Sequence, residues 1–250
     1  MNLGIAGRSA IVCASSKGLG RACAFALARA GARVVVNGRD AARVEATAAE
    51  IRAATGAEVI VVPGDLGDPA TREKLLAAVP EPDILVNNNG GPPPTPFEGI
   101  TREKLLAGLE ANMLTPIALA QAVLPGMAAR KFGRIVNITS ASVRAPIAGL
   151  DVSSGARAGL TAFLASAARK YARDNVTINS IQPGIFATDR IAATMADPEK
   201  REQRKASVPA GRFGDPEEFG ALCAFLCGAQ AGYITGQNIL IDGGAFPGAF

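Results

Sequence analysis

Short runs of apolar residues alternate along this chain with stretches in which apolar positions recur every three to four residues. Ala10-Ile11-Val12, Arg33-Val34-Val35-Val36, Glu58 to Val62, Asp83-Ile84-Leu85-Val86, Gly133 to Ile138, Val176 to Ile181 and Asn238 to Ile241 have the length and composition of buried strands. Between them the spacing predicts helices over Arg21 to Ala28, from an N-cap at Asp40 to about Thr55, and over Pro69 to Ala78. Further helices are expected over Thr101 to Arg130, with a break or bend near Pro116 and Pro125, over Ser153 to Arg173 and over Pro216 to Gly228. This alternation predicts an α/β fold class: a doubly wound parallel sheet with helices on both faces, in a single domain spanning residues 1–250. Ligands then belong at the carboxyl ends of the strands. The segment Ala187 to Arg212 is rich in charge and poor in strand signals, which fits a partly helical flap over a site and equally a solvated surface helix.

Cys13-Ala14-Ser15-Ser16-Lys17-Gly18-Leu19-Gly20 lies between the first strand and the first helix. A strand, a tight glycine turn and a helix make an anion cradle, because the helix's first N–H groups lack partners and its dipole is positive there. A dinucleotide pyrophosphate is the expected guest. A glycine turn by itself also occurs in ordinary loops; its weight here comes from the residues at the later strand ends.

Composition narrows the chemistry. There is no histidine among the 250 residues, which removes histidine-dependent triads and the usual zinc ligands. None of the four cysteines forms a Cys-x-x-Cys pair, so they are expected to be core thiols, with no metal site. The net charge of +4 is diffuse and gives no argument for nucleic acid. The first residues lack the form of a signal peptide, and no uninterrupted apolar run reaches about 18 residues. A soluble, cytoplasmic protein with no membrane partner is expected.

Taken in order, the strand ends resemble the short-chain dehydrogenase/reductase family over nearly the whole chain. The matching pieces are the Cys13 to Gly20 turn, Asp65-Leu66, Asn87-Asn88-Asn89-Gly90, Asn112, Ser140, Asn179, Pro183-Gly184, Thr188 and Asp242-Gly243-Gly244. Cys13 and Ala14 replace the Thr and Gly that open the family's turn. The resemblance implies a Rossmann-type fold, a homotetramer and a nicotinamide cofactor. It places Ser15, Ser16, Lys17, Gly18, Leu19 and Gly20 at the phosphates, and Asp65 and Leu66 beside the adenine. Asn87, Asn88, Asn89 and Gly90 fall at the ribose, and Pro183, Gly184 and Thr188 at the nicotinamide.

Charge selects between the two forms of that cofactor. NAD sites usually carry an acid after the second strand, whereas this chain reads Val36-Asn37-Gly38-Arg39. Asn37 lies in that turn, and Lys17 and Arg39 would face a 2′-phosphate, so NADP is expected in preference to NAD.

The chemical end departs from the family. Relatives use a Ser to polarise the carbonyl, a Tyr to move the proton, a Lys four residues on, and an Asn that anchors a water. Asn112 and Ser140 match, but Ser153 stands in the Tyr position and Arg157 in the Lys position. Tyr171 and Tyr233, the chain's two tyrosines, are expected to be partly buried with hydrogen-bonded hydroxyls. An aliphatic hydroxyl is a far poorer acid than a phenol, and a guanidinium does not relay protons. Hence two expectations stand side by side. One is an NADP(H)-dependent oxidoreductase that interconverts a small-molecule carbonyl and an alcohol through Asn112, Ser140, Ser153 and Arg157, with 3-oxoacyl thioesters as the default substrate. The other is a catalytically silent nucleotide-binding regulatory or partner protein. As purely structural roles, Ser153 would cap its helix and Arg157 would make an ion pair.

Overall fold

The reason several strands read as unbroken apolar runs is visible in the sheet. A computed structural model describes residues 2–195 and 197–248, with the side chain of Arg190 excepted. Its strands are β1 Ser9–Val12, β2 Arg33–Gly38, β3 Val59–Pro63, β4 Ile84–Asn87, β5 Gly133–Ile138, β6 Val176–Pro183 and β7 Asn238–Ile241. All pair in parallel, in the order β3-β2-β1-β4-β5-β6-β7.

Helices cover both faces. Ala10, Val12, Val34, Val36, Ile84 and Val86 point to the side of α1 Gly18–Arg29, α2 Ala41–Thr55 and α9 Pro216–Cys227. The intervening residues Ile11, Val35 and Leu85, with Ile135 and Ile178, meet α3 Pro69–Ala78, α5 Thr115–Ala129 and α6 Asp151–Tyr171 on the other side. This is the two-residue alternation of a strand with both faces buried, each large apolar side chain contributing about 1.5–3 kcal/mol. The four cysteines are free and buried, as expected.

From β1 the chain runs outward to β3, then returns to place β4 on the other side of β1 and runs outward again. The crevice above the ends of β1 and β4 is therefore the switch point where such sheets take ligands. Asp40 caps α2 by accepting from the Arg43 N–H, as the sequence suggested.

Three expectations shift. The long helical stretch divides into α4 Arg102–Leu109 and α5, joined by a π-helical turn at Glu110–Leu114 rather than by a proline break. Pro116 sits in the first turn of α5, directly after the π-turn, and Pro125 stays inside the helix. The stretch Arg102–Ala129 is long and apolar enough by composition to cross a membrane, but Ile117, Leu119, Ala120, Val123, Leu124 and Met127 are packed in the core. Helix α6 starts at Asp151 after Leu150, so Ser153 lies within its first turn and is not the cap.

The segment from Ala187 to Arg212 is partly helical, with α7 Asp189–Thr194 and α8 Pro198–Ala206; Ala196 and the side chain of Arg190 lie outside the described residues. Hydrogen bonds from Ala187 N to Gly214 O and from Ala210 N to Gly243 O tie its two ends to the domain.

Candidate functional site

The turn after β1 is held by its neighbours. Gly18 has φ +57°, and a Cβ at Gly20 would run into the Ala14 carbonyl oxygen and lie 2.7 Å from Asn88 Nδ2. No side chain caps α1 behind Lys17, so its first N–H groups face the crevice uncapped. Lys17 is exposed, Ser16 and Leu19 are half-buried, and Thr188 packs within 3.7 Å of the Cβ direction of Gly18. The Cys13 thiol beneath the turn is pushed up to about 12, chiefly by burial and against a lowering hydrogen bond from the Asn88 backbone, so it stays neutral.

Two residues assigned to the cofactor brace the turn instead. Ser15 is fully buried, donating to Val12 O and accepting from Asn37 N. Asn37, 1% exposed, accepts from Ala14 N and donates to Val62 O and Gly64 O. Ala14 needs that grip, because its φ of +44° is costly for a residue with a Cβ.

The asparagine triplet works in the same way, each amide pinning a different element. Asn87 Nδ2 donates to Asn137 Oδ1 on β5 and to Pro116 O on α5. Asn88 Nδ2 donates to Ala14 O, and Asn89 Nδ2 to Ala111 O in the π-turn. In return Asn112 Nδ2 reaches Gly90 O at 3.3 Å. Asn87 Oδ1 and Asn112 Oδ1 are buried without a hydrogen-bond partner. Both residues line a cavity of about 10 Å³ whose wall also contains Arg157, and unsatisfied buried acceptors mark a place for a ligand or a water.

Beyond β2 and β3, Arg39 and Asp65 are exposed and 4.0 Å apart, while Leu66 is buried in the core beneath them. Pro183 ends β6 and Gly184 packs against Asp242, where a Cβ would lie 2.7 Å from the Asp242 Cβ. Asn179 accepts from Gln237 N and donates to Ile234 O, fixing the approach to β7. A larger groove, about 1060 Å³, starts at Lys17, Gly18 and Thr188 and runs over α1 past Phe25 and Phe225. Ser140 and Ser153 line neither this groove nor the smaller cavity, which borders Asn112 and Arg157.

At the reactive end, Ser140 caps a short 3₁₀ turn. Its Oγ accepts from the Ser142 N–H at 3.1 Å and from the Ser142 hydroxyl at 2.8 Å. Ser154 Oγ donates to Ser142 Oγ at 2.8 Å. Ser153 lies beside it, 5% exposed, and accepts from the Arg157 guanidinium. Sequence reasoning misses Ser142 and Ser154; the Ser-x-Ser after β5 and the doubled Ser153-Ser154 are the signals that could have found them. Tyr171 stands 18 residues beyond Ser153 on the same helix, about 27 Å away. Tyr233 is 103% exposed, contrary to the expectation of partial burial.

A nicotinamide nucleotide fits these features: an uncapped helix start over a glycine turn with no room for a Cβ, and unpartnered acceptors beside Arg157. Among the described residues no group of His, Cys, Asp and Glu would hold a metal.

Comparisons with known proteins agree. Residues 13–245 match the family described as enoyl-(acyl carrier protein) reductase. The chain is 34% identical to the 3-oxoacyl-[acyl-carrier-protein] reductase of Aquifex aeolicus, over 98% of this chain and 100% of the relative. Among solved structures, L-sorbose reductase from Gluconobacter frateurii, complexed with NADPH and L-sorbose, superposes with TM-score 0.93 at 28% identity, covering 99% and 100% of the two chains. A 3-oxoacyl (acyl-carrier-protein) reductase from Agrobacterium tumefaciens C58 with NADP bound superposes with TM-score 0.91 at 32% identity, covering 97% and 95%.

Proposed function

This chain belongs to the short-chain dehydrogenase/reductase family, and from that premise we propose that it is an NADP(H)-dependent reductase interconverting a carbonyl and an alcohol. The observation that carries the reading is the setting of Ser140: its oxygen accepts from the fixed Ser142 N–H and lies 2.8 Å from the Ser142 hydroxyl, so that with Ser142 donating, the Ser140 hydrogen is given to a substrate oxygen.

When bound, the nicotinamide supplies a hydride to the substrate carbon. The turn from Ser16 to Gly20 would hold the pyrophosphate, with Lys17 and Arg39 at a 2′-phosphate and Asp65 and Leu66 at the adenine. Asn88 to Gly90 and Arg157 would border the ribose, and Pro183, Gly184 and Thr188 the nicotinamide. NADP is favoured because no acid follows Asn37 before Asp40, which is occupied as a helix cap.

Ser140 then polarises the carbonyl oxygen. Ser153 is prepared in the same manner, since Arg157 donates into its oxygen and leaves its hydrogen to be given. Two such hydroxyls directed at one oxygen would stabilise the negative charge that reduction creates there. Asn112, with its free Oδ1 in the cavity, would hold a water. The relatives' named substrates make 3-oxoacyl thioesters and ketoses the first compounds to try.

The homotetramer is also proposed. Leu105, Leu106 and Leu114 on α4 and the π-turn, and Phe163 on α6, are between 43% and 51% exposed, as a face covered by a second copy would be. Sedimentation at micromolar concentration tests it.

A second reading, a silent nucleotide-binding protein, draws on the serine at position 153 and on the separation of Tyr171 from it, about 27 Å along α6. One assay separates the two. The protein is mixed with NADPH and a panel of 3-oxoacyl thioesters and ketoses, and absorbance of the reduced nicotinamide is followed. Consumption supports the reductase; saturable binding of NADPH with no consumption across the panel supports the silent protein.

A further inference from the structure

We infer that Ser154, Ser142 and Ser140 form a hydroxyl relay that delivers the proton for which relatives in this family use a phenol; the inference rests on the reductase reading above. The three oxygens are linked in series at 2.8 Å and 2.8 Å, and the donors run from Ser154 to Ser142 to Ser140. The far end, Ser154, is half-exposed, whereas Ser142 is 5% exposed. The chain therefore runs from the partly exposed Ser154 to Ser140, the hydroxyl assigned above to the substrate oxygen.

A lone serine is a poor general acid because giving up its proton leaves a strong base in place. A relay removes that difficulty. The oxygen of a freshly reduced carbonyl is itself an alkoxide, of the same chemical class as a serine alkoxide, so each transfer is between near-equal bases. As the substrate oxygen forms its O–H bond, the Ser140 O–H bond breaks. Ser140 regains a proton from Ser142, Ser142 from Ser154, and Ser154 from water, whose hydroxide is neutralised by buffer. One proton passes from solvent to product, and nothing is oxidised or reduced beyond the hydride step.

Cooperative polarisation along the chain, with the fixed Ser142 N–H also directed at Ser140, strengthens the last donor. Ser153, adjacent to Ser154, is turned along the helix to Arg157 instead, so neighbouring hydroxyls on α6 serve different tasks. Ser142 and Ser154 act through Ser140 and are positioning residues.

The test compares wild type, Ser142→Ala, Ser154→Ala, Ser142→Thr and Ser154→Thr with NADPH and a ketone that the wild type reduces, in mixtures of H₂O and D₂O. The expected wild-type rate bows downward with deuterium fraction, because several protons move together. Each Ala variant is expected to lose about a hundredfold in kcat, with KM and the NADPH dissociation constant little changed, and each Thr variant to recover most of it. Ala variants with wild-type kcat, or Thr variants as impaired as Ala, overturn the relay while leaving the reductase reading intact. A wild type that binds NADPH but reduces nothing overturns both.

Discussion

Arg157 donates a hydrogen bond from its guanidinium to the hydroxyl of Ser153, one helical turn earlier on α6. A serine hydroxyl and a guanidinium are not groups that ionise near neutrality. The expected kcat therefore varies less than about twofold between pH 6 and 9, measured under saturating NADPH and ketone. A bell or a sloping limb in that window would reveal an ionising proton donor that the serines do not supply.

Arg39 stands exposed at the end of β2, 4.0 Å from Asp65. Arg39→Asp replaces attraction for a 2′-phosphate with repulsion and offers a ribose hydroxyl an acceptor. NADPH affinity should fall about ten- to a hundredfold, and NADH affinity should hold or rise, both read by fluorescence titration. Equal losses for the two would remove the charge argument for NADP.

Ala14 carries a conformational cost at φ +44°. Ala14→Gly should raise stability by about 1 kcal/mol, or about 2–4 °C in Tm for a chain of this size. Calorimetric unfolding checks it, and an unchanged or lower Tm would mean that the methyl group's packing outweighs the strain.

Arg212, at the end of the Ala187 to Arg212 segment, forks onto Glu218 at 2.8 Å and 2.7 Å, and Glu218 also accepts from Asp215 N. The guanidinium first, and the Asp215 N–H second, hold the Glu218 carboxyl at about 2, below its ordinary 4.5. A folded value below the unfolded one means that the clamp stabilises above about pH 4.5 and is lost as pH falls towards 2. Glu218→Gln should flatten that part of the acid-stability curve, and wild-type and variant curves of the same shape would contradict the clamp.

How far the sequence reached depends on where each feature draws its energy. Strands β1, β2 and β4 were legible because burial on both faces demands unbroken apolar runs, and Asp40 because a cap is set by its own neighbours. The π-turn at Glu110–Leu114 was not, since it coincides with Asn89 and Asn112 bonding across two distant segments. Ser15 and Asn37 look like ligand groups in the chain, but inside the turn they satisfy backbone atoms that only the folded sheet brings near. The Ser142–Ser154 contact joins residues on separate elements and left no periodicity to read.

Every functional role assigned above requires that the crevice at the ends of β1 and β4 grip a phosphorylated nicotinamide nucleotide. Titration calorimetry of the wild-type protein with NADPH and, separately, NADH tests this most directly. Saturable heat is expected with NADPH at about one per chain, with binding at least about tenfold tighter than for NADH. No heat with either nucleotide, supported by an unchanged Tm in their presence, would contradict it.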